Sequence, residues 1–160
     1  MLKGNVGNEY PLVYVGDSAE FVMYDGTITG NTYSKEGEDC AGGGVNVENG
    51  TFTMKGGTIS GNTADAGGGV YVEEGTFTMS GGTISGNTAA MGGGVAVIVG
   101  EDGGTFTKTG GTIHDNAAGG AGYGNQVFVM SEDGGKYRDD NAGPEVKLDS
   151  NTDDGWVVME

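Results

Sequence analysis

Residues 42–66 read GGGVNVENGTFTMKGGTISGNTADA, and residues 67–91 read GGGVYVEEGTFTMSGGTISGNTAAM. The two stretches align without a gap at a period of 25 residues. Self-similarity at such a period marks a solenoid or a comparable repeat array. Within one period lie three short runs of alternating character, GVxV, TFTM and TIS. Alternation places one face of a strand inside and the other outside. Gly-Gly, Asn-Gly or Glu-Gly separates the runs and supplies tight corners. Three short strands and three corners per period describe one turn of a β-helix. A meander of hairpins would need antiparallel pairing with an odd three-strand period, which the repeat does not favour.

The pattern extends in both directions. A third copy starts at Gly92, carries four extra residues near Val99–Asp102, and resumes as GGTFTKTGGTIHDNA. Upstream, Leu12-Val13-Tyr14-Val15, Phe21 and Thr27-Ile28-Thr29-Gly30-Asn31 form a degenerate copy with a longer tail at residues 33–41. Downstream, Gln126-Val127-Phe128-Val129, Lys136-Tyr137-Arg138 and Glu145-Val146-Lys147-Leu148 form another. The expected fold is therefore all-β, a single-stranded right-handed parallel β-helix (β-solenoid) of about five coils. The chain reads as one domain, residues 1–160. Residues 1–10 are a cap or linker and 11–41 a degenerate coil. Regular coils span 42–66, 67–91 and 92–122, a degenerate coil 123–150, and a C-terminal cap 151–160, with the Trp156 segment as a closing strand.

Stacking assigns the interior. One column is Val13, Val45, Val70, Val95 and Val127, and the next is Val15, Val47, Val72, Val97 and Val129. A third is Phe21, Phe52, Phe77, Phe106 and Tyr137. A fourth is Ile28, Ile59, Ile84, Ile113 and Val146. With ~4.8 Å per coil, five coils span roughly 24 Å. The interior is narrow and filled by side chains, so 35% apolar residues suffice. Asn31, Asn62, Asn87 and Asn116 form a column at the corner after TIS. Stacked Asn side chains there bond to one another and to backbone groups at the bend.

Composition bounds the function. Gly accounts for 36 of 160 residues, but no Gly-X-Y period occurs. The net charge is −16 with 7 Lys+Arg. Binding to nucleic acid or to an anionic membrane surface needs basic clusters, so neither is expected. No stretch reaches the ~18 apolar residues of a membrane helix. Met1-Leu2-Lys3-Gly4-Asn5 leads into polar sequence rather than an apolar signal, so this start reads as an excised module or a processed end. The one cysteine, Cys40, excludes an intrachain disulfide.

The repeat resembles bacterial surface β-helix proteins. Gly42-Gly43-Gly44-Val45, Gly67-Gly68-Gly69-Val70 and Gly92-Gly93-Gly94-Val95 look like the GGA(I/L/V) motif of polymorphic outer-membrane and adhesin-like proteins, with Gly in place of Ala. Ile59-Ser60-Gly61-Asn62 and Ile84-Ser85-Gly86-Asn87 look like the accompanying FxxN motif, with Ile in place of Phe, and Ile113-His114-Asp115-Asn116 follows. The resemblance covers roughly residues 11–130. It implies a secreted or displayed scaffold, without the outer-membrane barrel that anchors that family.

Pectate-lyase-like enzymes share the fold, so catalysis has to be weighed. Arg138 beside Asp139 and Asp140 is the one lyase-type grouping, and Asn151-Thr152-Asp153-Asp154 is an isolated fragment of a hydrolase series. His114, the only histidine, takes a Ser position and is expected in solvent. The acidic pairs Glu73-Glu74, Glu101-Asp102 and Glu132-Asp133, with the cluster at 36–39, fall in expected loops. Solvated charge is the ordinary reading there. Calcium in such a loop is the alternative. No metal and no cofactor is expected.

Two surfaces stand out. The outward residues of GVxV include Tyr14, Tyr71 and Phe128, aromatic rings expected to be exposed and suited to sugar or protein contact. Thr51/Thr53, Thr76/Thr78 and Thr105/Thr107 flank the inward Phe and form a TxT array that resembles ice-binding surfaces. A second Thr face follows the TIS strands. The expected function is a non-enzymatic, adhesin-like scaffold outside the cell or at the bacterial surface. Its expected partner is a polysaccharide or a surface protein, with end-to-end continuation or self-association open. Ligand-bearing features are the GVxV face and the loops at residues 33–40 and 99–103. The alternatives are a carbohydrate-active enzyme, of lyase or hydrolase type, and an ice-binding protein.

Overall fold

The computed structural model describes residues 1–35, 40–99, 103–119, 124–131, 136–137 and 146–148. These form an all-β parallel solenoid of about four complete coils, with partial rungs at each end. The fifth coil is thus represented in part.

Three sheets run along the axis. The valine sheet stacks Val13–Val15, Val45–Glu48, Val70–Glu73, Val95–Val99 and Val127–Ser131. The phenylalanine sheet stacks Glu20–Met23, Thr51–Met54, Thr76–Met79, Thr105–Lys108 and Val146–Leu148. The isoleucine sheet stacks Leu2–Lys3, Thr27–Thr29, Thr58–Ser60, Thr83–Ser85 and Thr112–His114. Every rung in these stacks is parallel, and within the four coils the register is the one the repeat predicts, with Val70 against Val45, Phe77 against Phe52 and Ile84 against Ile59.

The alternation that predicts strands also decides burial. Val45, Val47, Phe52, Ile59, Val70, Val72, Phe77 and Ile84 are all fully buried. Phe52, Phe77 and Phe106 stack face to face at 4.8 Å between centroids, one rung apart. The last residue of each TFTM run also points in. Met54 and Met79 are buried, and Lys108 holds the same place in the fourth coil, likewise buried.

The two signature motifs meet in space. A Cβ on Gly69 would lie 2.6 Å from Gly94 O, 2.9 Å from Ile84 Cγ2 and 3.1 Å from Asn87 Nδ2. The third glycine of GGGV is thus the surface on which the ISGN asparagine and isoleucine pack. Gly44 stands in the same relation to Ile59 and Asn62.

The ends depart from expectation. Tyr137 does not continue the phenylalanine column: Lys136–Tyr137 pairs antiparallel with the valine sheet, Tyr137 against Val129. Val146 does not continue the isoleucine column: it lies opposite Phe106. Both positions follow stretches where the 25-residue spacing is broken, so counting along the chain misassigns the rung. Leu2–Lys3 adds a rung to the isoleucine sheet, Leu2 opposite Ile28.

Candidate functional site

The outward residues of the valine sheet lie in one rank, Tyr14, Asn46, Tyr71, Ala96 and Phe128. Two residues on, a second rank runs Glu48, Glu73, Ile98 and Met130. Each coil then adds a corner segment between its isoleucine strand and the next valine strand. Ala41, Ala66 and Met91 stack on one another there. The segment is held by Asp65 N–H donating to Cys40 O at 2.8 Å and Met91 N–H donating to Asp65 O at 3.1 Å. Asp65 Oδ2 also accepts from Cys40 N–H at 3.0 Å.

Glycine brings this segment onto the sheet. Gly67 has φ of 60°, and a Cβ there would lie 2.4 Å from Val70 O and 2.8 Å from Tyr71 Cα. No side chain fits, so the chain turns directly over the start of the strand. Between corner segment and sheet lies a groove of about 490 Å³. Its floor holds Asn46 and Tyr71, one edge Glu48, Glu73, Ile98 and Met130, and the opposite wall Asp65, Ala66 and Met91.

The lining changes along the axis, acidic at Glu48 and Glu73 and apolar at Ile98 and Met130. Its charged residues are the carboxylates Glu48, Glu73 and Asp65, with no basic side chain among the lining residues described. Tyr71 Oη donates to Glu73 Oε2 at 3.4 Å. Asn46 Oδ1 is the one buried side-chain polar atom without a hydrogen-bond partner among the described residues. Buried acceptors are normally paired, so this one calls for an explanation.

The sequence-derived aromatic trio separates. Tyr14 is 55% exposed. Its ring lies over Gly16, where a Cβ would come 2.5 Å from Tyr14 Cε1. Its Oη donates to Glu48 Oε2 at 3.1 Å. Partial desolvation, that hydrogen bond and the charges of Glu48 and Asp17 push the Tyr14 hydroxyl above its ordinary 10.0. Tyr71 is half-buried in the groove. Phe128 is 1% exposed, a correction: it is closed off from solvent and offers no ring face to a ligand. Ala96, on the rung before it, is equally covered.

The threonine ranks are in register. Thr51, Thr76 and Thr105 align, as do Thr53, Thr78 and Thr107. Thr51 is exposed and the other five are half-buried. The ranks are bounded by Glu20 and Val22 on one side, as expected. On the other side the register pairs Thr107 with Lys147, not with Lys136, which pairs with Met130. On the isoleucine sheet the hydroxyls pair along the axis, Thr83 with Thr112 at 3.3 Å and Ser60 with Thr29 at 3.5 Å. His114 faces solvent at 41% side-chain exposure, 2.8 Å from Asp115 Oδ2.

The asparagine column is a continuous hydrogen-bonded ladder. Asn31, Asn62 and Asn87 are fully buried. Each backbone N–H donates to the next Asn Oδ1, Asn31 to Asn62 at 3.1 Å and Asn87 to Asn116 at 3.0 Å. Two further side chains close it: Asn8 Nδ2 donates to Asn31 Oδ1 at 2.6 Å, and Gln126 Oε1 accepts from Asn116 Nδ2 at 2.8 Å. Asn8 lies before the first coil, and Gln126 takes the place of the third glycine of GGGV, so periodicity predicts neither side chain.

Arg138, Asp139, Asp140, Asn151, Thr152, Asp153, Asp154 and Trp156 lie outside the described residues, as do Glu36, Glu38, Asp39, Glu101, Asp102, Glu132 and Asp133. Comparison of the chain with protein families, curated proteins and solved structures finds no match.

Proposed function

We propose that the chain is a non-enzymatic, adhesin-like binding module of a bacterial surface or secreted protein, and that it holds a polysaccharide in the groove on the valine sheet. The observation that carries this reading is the floor of that groove. An aromatic ring, Tyr71, stands beside the unpartnered acceptor of Asn46, with the Glu48 and Glu73 carboxylates along the edge. An aromatic face with a few placed polar groups suits a sugar ring and its hydroxyls. The rigid stack holds these groups in place, which lowers the ordering cost of binding.

One incubation with a panel of soluble and insoluble polysaccharides, with and without EDTA, tests the reading. Protein depletion and new reducing ends or unsaturated products are followed together. Depletion without products is the expected result, weakened about tenfold by Tyr71→Ala. Products would replace the binding module with a carbohydrate-active enzyme. No depletion across the panel would overturn the glycan reading.

The in-register pairs Thr51/Thr53, Thr76/Thr78 and Thr105/Thr107 favour a second reading, an ice-binding face. Thermal hysteresis that disappears in Thr76→Val/Thr78→Val but survives Tyr71→Ala would decide for it.

A further inference from the structure

We propose that the folded chain carries an N-linked sugar on the side-chain amide of Asn49. This goes beyond the groove and does not depend on it, since Asn49 is not among the groove's lining residues.

The acceptor motif occurs once. Asn49-Gly50-Thr51 is an Asn-x-Ser/Thr triplet, the pattern that asparagine glycosyltransferases read. The chain has 11 asparagines, and no other is followed two positions later by Ser or Thr. Asn31, Asn62 and Asn87 are each followed directly by Thr, one position short of the motif. All three are fully buried in the ladder.

Such a triplet is an acceptor only where the surface presents it. Asn49 and Thr51 are both exposed, at the corner between the valine and phenylalanine sheets, while Gly50 between them is buried. A Cβ on Gly50 would lie 2.6 Å from Val15 O and 2.8 Å from Val15 Cγ1. The middle residue therefore packs on the coil before it, and the two residues that a transferase reads stay outside. Thr51 opens the strand Thr51–Met54, whose alternation buries Phe52 and leaves Thr51 in solvent.

The backbone holds Asn49 without using its side chain. Asn49 N–H donates to Glu73 O at 3.3 Å, and Asn49 O accepts from Ser18 N–H at 2.9 Å. Its φ is 59°, in the left-handed region that asparagine tolerates. Asn49 Nδ2 donates to Glu74 Oε2 at 3.2 Å, between two exposed residues. A glycosylated amide keeps one N–H, so it can still make that bond. The equivalent corner of the next coil holds Glu74-Gly75-Thr76, with φ of 53° at Glu74. The corner shape thus belongs to the repeat, and the acceptor amide belongs to residue 49 alone.

The chemistry is a glycosyl transfer. Asn49 Nδ2 bonds to the anomeric carbon of a sugar activated as a glycosyl diphosphate. The bond from that carbon to the diphosphate oxygen breaks, and the nucleoside or lipid diphosphate leaves with the electron pair. One amide proton passes to a base on the transferase. No oxidant or reductant is needed.

The test is peptide mapping by mass spectrometry of the full chain, purified from the cells that produce it. A sugar on the peptide that contains Asn49 is expected. The mass gained, one hexose or a whole oligosaccharide, tells a nucleotide-linked donor from a lipid-linked one. Asn49→Gln should abolish the modification by removing the acceptor. Thr51→Val should abolish it too, although it keeps Asn49 and a β-branched residue at the start of the strand. Circular dichroism checks that both variants fold, and the map of the parent chain stands without either. An unmodified Asn49 in the parent chain would overturn the proposal. A sugar found only on other residues would overturn it as well. A sugar on Asn49 that persists in Thr51→Val would overturn the assignment to the triplet.

Discussion

Asn87 Oδ1 accepts two hydrogen bonds from Asn62 in the coil before it, one from the backbone N–H and one from the side-chain Nδ2, both at 3.0 Å. At the same time Asn87 Nδ2 donates to Ile59 O at 3.0 Å. One side chain thus binds two backbone groups of the neighbouring coil, the Asn62 N–H and the Ile59 carbonyl.

Removing that side chain leaves the Asn62 N–H buried without its acceptor and takes one donor from the Ile59 carbonyl. A buried group left unpaired costs about 1–3 kcal/mol. Asn87→Ala is therefore expected to lower stability by about 1–3 kcal/mol. Urea unfolding measures it. A loss below ~1 kcal/mol would show that water replaces the ladder.

The phenylalanine stack predicts a gradient along the axis. Phe77 is buried between two rings at 4.8 Å. Phe77→Ala should cost roughly 3–5 kcal/mol. Phe21 has one stacking neighbour, Phe52 at 5.2 Å, and is half-buried. Phe21→Ala should cost roughly 1–2 kcal/mol. Denaturant midpoints of the two variants, measured side by side, check the order.

Two glycines separate crowding from backbone conformation. A Cβ at Gly69 meets the Gly94 carbonyl and the Asn87 side chain. Gly69→Ala is expected to cost about 3 kcal/mol, because backbone in the neighbouring coil must move. Gly86 has φ of 63° with nothing within 4 Å of the added carbon. Gly86→Ala should cost about 1 kcal/mol, the left-handed penalty alone. Thermal melts of both distinguish the two causes.

The raised Tyr14 hydroxyl gives a pH dependence with a definite sign. A group whose pKa is higher in the folded state contributes stability that is complete below the unfolded value, here 10.0, and lost as pH climbs through the folded value. Tyr14→Phe should therefore be less stable than the parent chain at neutral pH. The difference should shrink above pH 10. Urea midpoints of both proteins across that range test it, and a gap that widens with pH would contradict the Tyr14–Glu48 bond.

Much of this was legible because the repeat is a ruler. Val70, Phe77 and Ile84 each have an equivalent 25 residues earlier, so translation by one coil sets the register. The asparagine column followed for the same reason. The inward Met54, Met79 and Lys108 were not assigned from the sequence, although alternation in TFTM and TFTK extends to the fourth residue. Phe128 misled because alternation says which face of the sheet a residue occupies, and that face is covered there. Tyr137 and Val146 misled because the chain around them no longer keeps the period.

The amino-acid sequence by itself determined the solenoid, its three sheets and the identity of its interior columns. Those follow from local alternation and from identical coils that gain most by stacking like on like. Only the tertiary structure decided where the outer face is open and where it is covered. The same holds for the turn of the glycine corners over Tyr71 to make a groove, and for the closure of the asparagine ladder by Asn8 and Gln126. These depend on which segments lie over one another across coils. No periodicity encodes that contact, because each involves a residue that occurs once.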